Sequence, residues 1–198
     1  MNLNEFNSLT DLFFYQADKQ NPQSIFLEWL NPNNKKKFTW SETSLNIYKL
    51  AKILKKNIQD GDRCLLVSEN RPEWLISDLA IMLANGITVP AYTTYTEKDY
   101  KYLIEDCEPS IVIVSNNEMH HKLKNIIKEK NFIKKVITFE KIEGLNDDKY
   151  LDFNSIIKND FQENDKIKNS NLKRRSPACI IYTSGTGGNP KGVILSHG

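Results

Sequence analysis

The sequence predicts an α/β protein built on a largely parallel sheet, and three observations predict it. Short apolar runs at residues 64–67 and 111–114 have no polar face, as strands covered on both sides require, and 136–139 reads as another strand. Between them lie longer stretches with apolar residues at helical spacing. The alternation strand–helix–strand–helix–strand is that of right-handed βαβ units.

The elements follow in order. Residues 8–20 carry Leu9, Leu12, Phe13 and Ala17 at helical spacing, with Ser8 or Thr10 as the cap and Asn21-Pro22 as the stop. Residues 24–30 and 37–40 read as a β-hairpin around Asn31-Pro32-Asn33-Asn34, whose neighbouring lysines (Lys35, Lys36, Lys37) solubilise the tip. Thr39 and Glu42 have capping-box spacing, and the helix they start places Leu45, Tyr48, Ala51, Ile53, Leu54 and Ile58 on one face.

After the strand at 64–67, the turn Ser68-Glu69-Asn70-Arg71-Pro72 leads into a helix over 74–84 that is apolar nearly all round and ends at Asn85-Gly86. A strand over 87–92 follows. Thr96 and Asp99 then cap a helix with Tyr100, Leu103, Ile104 and Cys107 on its inner face. Residues 116–131 form a basic amphipathic helix with Met119, Leu123, Ile126 and Ile127 inside. Residues 143–175 read as a polar surface connection with one weak helix near 153–157, before the chain returns to the core at Ala178. No internal repeat is visible.

Composition bounds the function. With 198 residues, 39% hydrophobic and 26% charged, the chain is that of a globular protein rather than a disordered one. A net charge of +2 gives no reason to expect a nucleic-acid partner. Cys64, Cys107 and Cys179 are odd in number and match no zinc spacing, so a reducing compartment, the cytoplasm, and no metal–thiolate centre are expected. The N-terminus lacks a signal-peptide pattern, and the apolar stretch at 75–84 is too short to span a bilayer.

Chemistry concentrates in residues 178–198. An apolar run, Cys179-Ile180-Ile181-Tyr182, enters a loop of hydroxyls and glycines, and Val193-Ile194-Leu195 leaves it. Thr183, Ser184 and Thr186 offer hydroxyl donors; Gly185, Gly187 and Gly188 let backbone amides approach a polyphosphate; Lys191 adds a point charge. The ordinary P-loop is excluded. Pro190 stands where its second glycine belongs, Gly192 stands where its Mg²⁺-binding hydroxyl belongs, and the residues that follow favour a strand over a helix.

The stretch instead resembles the signature of the AMP-forming adenylate synthetases: acyl-CoA synthetases, luciferases and peptide-synthetase adenylation domains. Their pattern Tyr-Thr-Ser-Gly-Thr-Thr-Gly-x-Pro-Lys-Gly is matched at Tyr182, Thr183, Ser184, Gly185, Thr186, Gly188, Pro190, Lys191 and Gly192, with Gly187 in place of a threonine. Residues 68–74, 78–81 and 86–94 resemble the long-chain acyl-CoA synthetase branch.

The resemblance implies that residues 1–198 are the N-terminal part of an adenylate-forming domain, ending just after the phosphate loop. It implies ATP, Mg²⁺ and coenzyme A as cofactor and co-substrates, and a fatty acid activated to an acyl-adenylate and then to acyl-CoA. Thr183, Ser184, Gly185, Thr186, Gly187, Gly188 and Lys191 would bind the β- and γ-phosphates, with Lys191 stabilising charge as pyrophosphate leaves. The resemblance leaves open an amino or aryl acid as substrate, a non-catalytic nucleotide-binding fragment, peripheral contact with the inner membrane face, and the oligomeric state. The family's Mg²⁺-binding glutamate, ribose-binding aspartate and C-terminal lysine domain are not among these residues, so the chain by itself is expected to be inactive and to hold no metal ligand.

Other polar residues weigh less. Glu69, Arg71 and Glu73 sit where α/β sheets place ligands, but such a cluster more often holds a turn. His120 and His121 are expected to be solvated, as are Asp147 and Asp148, and His197 carries no catalytic assignment.

Overall fold

The computed structural model describes residues 2–31, 35–145, 147–167, 172–183 and 189–198. Helix α1 (Leu9–Ala17) precedes a separate two-stranded antiparallel hairpin, β1 (Ile25–Trp29) and β2 (Lys36–Thr39). Helix α2 (Trp40–Lys55) leads to β3 (Arg63–Val67), α3 (Pro72–Leu83), β4 (Ile87–Ala91), α4 (Glu97–Cys107), β5 (Ile111–Val114), α5 (Asn117–Glu129) and β6 (Lys135–Thr138). Then come β7 (Tyr150–Asp152), α6 (Phe153–Lys158), β8 (Pro177–Thr183) and β9 (Lys191–Ser196). The seven-stranded sheet has the order β7-β6-β5-β3-β4-β8-β9 and is parallel except for β9, which pairs antiparallel with β8.

Strand β3 sets the layers. Cys64 and Leu66 point into a core shared with α2, α3 and α6, while Leu65 and Val67 point into a second core with α4 and α5. All four are fully buried. Fully burying a leucine or valine contributes about 1.5–3 kcal/mol, so neither sheet face can be left open to water.

Local sequence fixes the ends of the helices. Ser8 accepts the Asp11 amide at 3.0 Å, and both expected capping boxes form, at Thr39/Glu42 and Thr96/Asp99. Asn85 ends α3 in the left-handed region at φ 65°.

Three expectations are corrected. First, the buried stripe of α2 is Thr43, Asn46, Ile47, Leu50, Ala51 and Leu54, whereas Leu45 is exposed. Leu45 instead rims a groove with Phe14 and Tyr48, because the helix rolls to seat the residue pairs at i and i+3/i+4 that begin at Thr43 against α3. Second, the presumed surface connection contains a strand and a helix that belong to the core. Strand β7 pairs with β6, and Phe153 of α6 is fully buried. Three residues are too few for a period-2 signal to show. Third, His120 is buried rather than solvated: its Nε2 lies 3.2 Å from the Tyr150 hydroxyl. Burial holds this imidazole below its usual pKa, and Lys124 and His121 add to the effect. His121 is exposed, as expected.

The turn after β3 closes around a buried ion cluster. The Arg71 guanidinium donates to Glu73 through Nε (3.0 Å) and Nη2 (3.2 Å), and to Glu140 through Nη1 (2.9 Å). It lies over the Trp29 ring, 4.5 Å from the centroid, and Lys36 also pairs with Glu73. Burial alone would raise the pKa of Glu73, but the hydrogen bonds from Arg71 and Lys36 overcome it and hold the carboxyl below its ordinary 4.5.

Removing Glu73 takes away the buried carboxylate of the pair and leaves the buried Arg71 guanidinium with the exposed Glu140 as its carboxylate partner. Glu73→Ala is therefore expected to cost about 3–5 kcal/mol of unfolding free energy by chemical denaturation at neutral pH. Lys37→Ala, which breaks the exposed pair with Glu28, should change it by less than about 1 kcal/mol. The sign with pH follows from the lowered value: the contribution of Glu73 is complete above its unfolded pKa and is lost as pH falls through the folded one. Glu73→Gln should accordingly flatten that part of the acid limb, and an unchanged limb would show that the ionised carboxylate is not what stabilises the cluster.

Candidate functional site

Strand β8 runs parallel to β4, so its end at Thr183 reaches the C-terminal edge of the sheet, where open α/β sheets present ligands. The chain then turns back as β9. Thr183 pairs with Lys191 and Tyr182 with Gly192 across the hairpin. The structure thus brings Thr183 and Lys191 together as exposed cross-strand neighbours at the neck of the loop. Ser184, Gly185, Thr186, Gly187 and Gly188 lie outside the described residues.

A strand, not a helix, follows the loop. Among the described residues, a phosphate here would meet the Thr183 hydroxyl and the Lys191 ammonium, without the helix N-terminus of an ordinary P-loop.

The stem of the hairpin is tightly packed. A Cβ added to Gly192 would stand 2.9 Å from Ile180 Cγ2 and 3.2 Å from Cζ of Tyr182. Glycine is required here because the Tyr182 ring lies across the neighbouring strand. Tyr182 is itself buried, and its hydroxyl donates to Asp106 on α4. Burial, followed by the acceptor role of Asp106, pushes the Tyr182 phenol well above its usual pKa, so it stays a donor. On the other side of the loop, the Tyr102 hydroxyl donates to the Pro190 carbonyl at 2.9 Å. A cavity of about 210 Å³ lies between α4 and the hairpin, lined by Tyr95, Lys98, Tyr102, Tyr182 and Asn189 among others.

Sequence reasoning missed Tyr102 and Asp106. The available signal was their spacing of four, which puts them on one face of α4, together with the rule that a buried tyrosine hydroxyl needs a partner.

The remaining candidates take structural places. Arg71 and Glu73 are consumed by their mutual pair, and Glu69 accepts a hydrogen bond from Asn116 Nδ2 at 3.0 Å. His197 is buried; its Nδ1 accepts the Leu9 amide at 3.4 Å, a contact from the end of β9 to the first turn of α1. Asp147 accepts the Lys149 amide within its own turn, and Asp148 is exposed. Among the described residues, no group of three or more His, Cys, Asp and Glu side chains could hold a metal ion.

The sequence model of the family described as AMP-binding enzyme matches residues 13–198. Long-chain-fatty-acid–CoA ligase ACSBG2 of Gallus gallus is 30% identical over 184 residues, covering 83% of this chain and 23% of that relative. Long-chain-fatty-acid–CoA ligase ACSBG1 of Bos taurus is 28% identical over 172 residues, covering 82% of this chain and 24% of that relative. The chain therefore spans about a quarter of the length of these curated relatives. Among solved structures, the anthranilate CoA ligase AuaEII in complex with anthranoyl-AMP superposes with a TM-score of 0.83 at 21% identity, over 100% of this chain and 36% of that one. The luciferase-like enzyme of the mealworm Zophobas morio gives 0.82 at 20% identity, over 100% of this chain and 44% of that one. At these identities the structures establish a shared fold.

The close approach at Gly192 yields a test of the hairpin stem. Gly192→Ala should overpack it and lower unfolding free energy by about 1–3 kcal/mol. Adding Ile180→Ala, which removes the nearest obstructing methyl, should recover part of that loss in a double-mutant cycle. A neutral Gly192→Ala would mean that the ring and the strand do not need this contact.

Proposed function

The chain belongs to the AMP-binding enzyme family, and from that premise we propose that it supplies the phosphate-holding part of an enzyme that activates a carboxylic acid with ATP. The observation that carries this reading is the neck of the β8–β9 hairpin. Lys191 and Thr183 face each other at the ligand-presenting edge of the sheet, within the Pro190-Lys191-Gly192 frame.

In the proposed reaction the substrate carboxylate attacks the α-phosphorus of ATP. The bond to the α–β bridging oxygen breaks, and pyrophosphate leaves. The acyl-adenylate is then attacked at its carbonyl carbon by the thiolate of coenzyme A, and AMP departs. Lys191, the Thr183 hydroxyl and the loop, including Ser184, Gly185, Thr186, Gly187 and Gly188, hold the β- and γ-phosphates and neutralise the charge that grows on the leaving pyrophosphate. This is electrostatic stabilisation by placed donors and needs no proton transfer by the chain.

A long-chain fatty acid is the proposed substrate, supported by the similarity to long-chain-fatty-acid–CoA ligases. Mg²⁺ would supply positive charge to the polyphosphate, but the described residues offer no cluster to hold it, so no Mg²⁺ ligand is proposed among them. The residues are proposed as the N-terminal part of the adenylate-forming domain. Support comes from strand β9, where Val193, Ile194 and Leu195 are exposed and present apolar surface on both faces of the sheet edge. Among the described residues no helix is long and apolar enough to cross a membrane. The proposed setting is the cytoplasm, with peripheral contact at the inner membrane face.

In the full-length protein bearing this sequence, palmitate-dependent ATP–pyrophosphate exchange is expected, and Lys191→Ala should lower it by about a hundredfold or more. The melting temperature should not move, since the lysine is exposed. Exchange indifferent to Lys191 would remove the phosphate role. Exchange driven by benzoate or an amino acid in place of palmitate would keep the chemistry and reassign the substrate.

A further inference from the structure

A loop that must hold a polyphosphate through the loss of pyrophosphate has to keep its donors in place, and glycines by themselves do not. In this fold no helix follows the loop to brace it. What braces it is α4, which carries two anchors one turn apart. At the loop's entry, Asp106 accepts the hydroxyl of Tyr182, the residue before Thr183. At its exit, Tyr102 donates to the carbonyl of Pro190, the residue before Lys191.

The two anchors suit their targets. Proline has no amide hydrogen, so the carbonyl is the one backbone polar group by which the exit can be tied. The planar peptide bond joins that carbonyl to the amide of Lys191, so the restraint reaches the lysine that follows. Tyr182 is gripped at both ends, with its ring against Gly192 and its hydroxyl on Asp106. Helix α4 is itself well fixed, by the Thr96/Asp99 capping box and by Tyr100, Leu103, Ile104 and Cys107 in the core.

We propose that Tyr102 and Asp106 are positioning residues for ATP. They clamp the two stems of the phosphate loop to α4, so that Lys191 and Thr183 meet the polyphosphate from a fixed frame. This rests on the phosphate-loop reading above, with neither residue touching the nucleotide. Because the loop acts on charge that develops as pyrophosphate leaves, a loosened clamp lowers kcat for the ATP half-reaction more than it weakens binding of the acid.

The test uses the full-length protein and compares Tyr102→Phe, Asp106→Ala, Asp106→Asn and Lys191→Ala. Readouts are ATP–pyrophosphate exchange, amide hydrogen exchange in a peptide covering 183–192, and melting temperature. Tyr102→Phe keeps the ring and loses only the hydroxyl. It should lower kcat/KM for ATP by about threefold to tenfold, the range for one neutral hydrogen bond. It should speed amide exchange in that peptide, and leave KM for the acid and the melting temperature unchanged. Asp106→Ala should do the same more strongly, and Asp106→Asn, which keeps an acceptor for Tyr182, should recover most of the loss.

Wild-type ATP kinetics in Tyr102→Phe, alongside an impaired Lys191→Ala, would overturn the clamp and leave the phosphate reading standing. A uniform loss that tracks a lowered melting temperature would also overturn it, as a stability effect only. Unimpaired exchange in Lys191→Ala would overturn the phosphate reading, and this inference with it. Should Asp106→Ala fail to fold, Tyr102→Phe and Asp106→Asn still decide the matter.

Discussion

From Cys64 to Val67, strand β3 has no side chain that can face water, and the rest of the molecule is arranged around that fact. Its alternate residues enter two different cores, so one helical layer is not enough. Helices α2, α3 and α6 cover one face, and α4 and α5 cover the other. Parallel neighbours on both sides, β4 and β5, force crossovers that return the chain to the same edge each time. The C-terminal edge therefore collects the turns after β3, β5 and β6, and eventually the hairpin loop after β8.

That edge is crowded before any ligand is considered. Arg71, the residue before α3, cannot be buried unpaired, and its partners come from three other places: Glu73 in the first turn of α3, Glu140 beyond β6, and the ring of Trp29 in β1. The cluster therefore ties the N-terminal hairpin to the main sheet. A charged turn at the ligand edge of an α/β sheet invites a catalytic reading. Here Arg71 and Glu73 bond to each other and to Glu140 and Lys36, and so hold pieces of chain together. The available edge is displaced towards β8, where Lys191 keeps an exposed side chain.

Most of the layering was legible in the sequence because it depends on local, repeated signals. Continuous apolar runs marked β3, β5 and β6, and the Thr39/Glu42 and Thr96/Asp99 boxes marked two helix starts. What could not be read depends on partners far away in the chain. Strand β7 is defined by pairing with β6 and has too few residues to declare itself. His120 looked solvated on a basic helix until Tyr150 was brought against it, and Leu45 looked buried until the roll of α2 was fixed by α3. The loop proposed to hold phosphate stood out as a motif, whereas the contacts of its stems did not. Tyr102 and Pro190 are 88 positions apart, and no local pattern joins them.

A phosphate loop between two antiparallel strands solves a different problem from one that opens a helix. A helix supplies a dipole and a row of free amides, and its own hydrogen bonds keep them aligned. A hairpin supplies neither, so charge must come from a side chain and alignment from outside the loop. On the proposed phosphate reading, Lys191 answers the first need. The second explains two residues that a plain hairpin would not require. Gly192 lets the Tyr182 ring pack across the stem, and Pro190 stiffens the exit at the point where Tyr102 holds its carbonyl. The two departures that exclude the ordinary P-loop are thus the positions where a strand-based cradle has to obtain its rigidity.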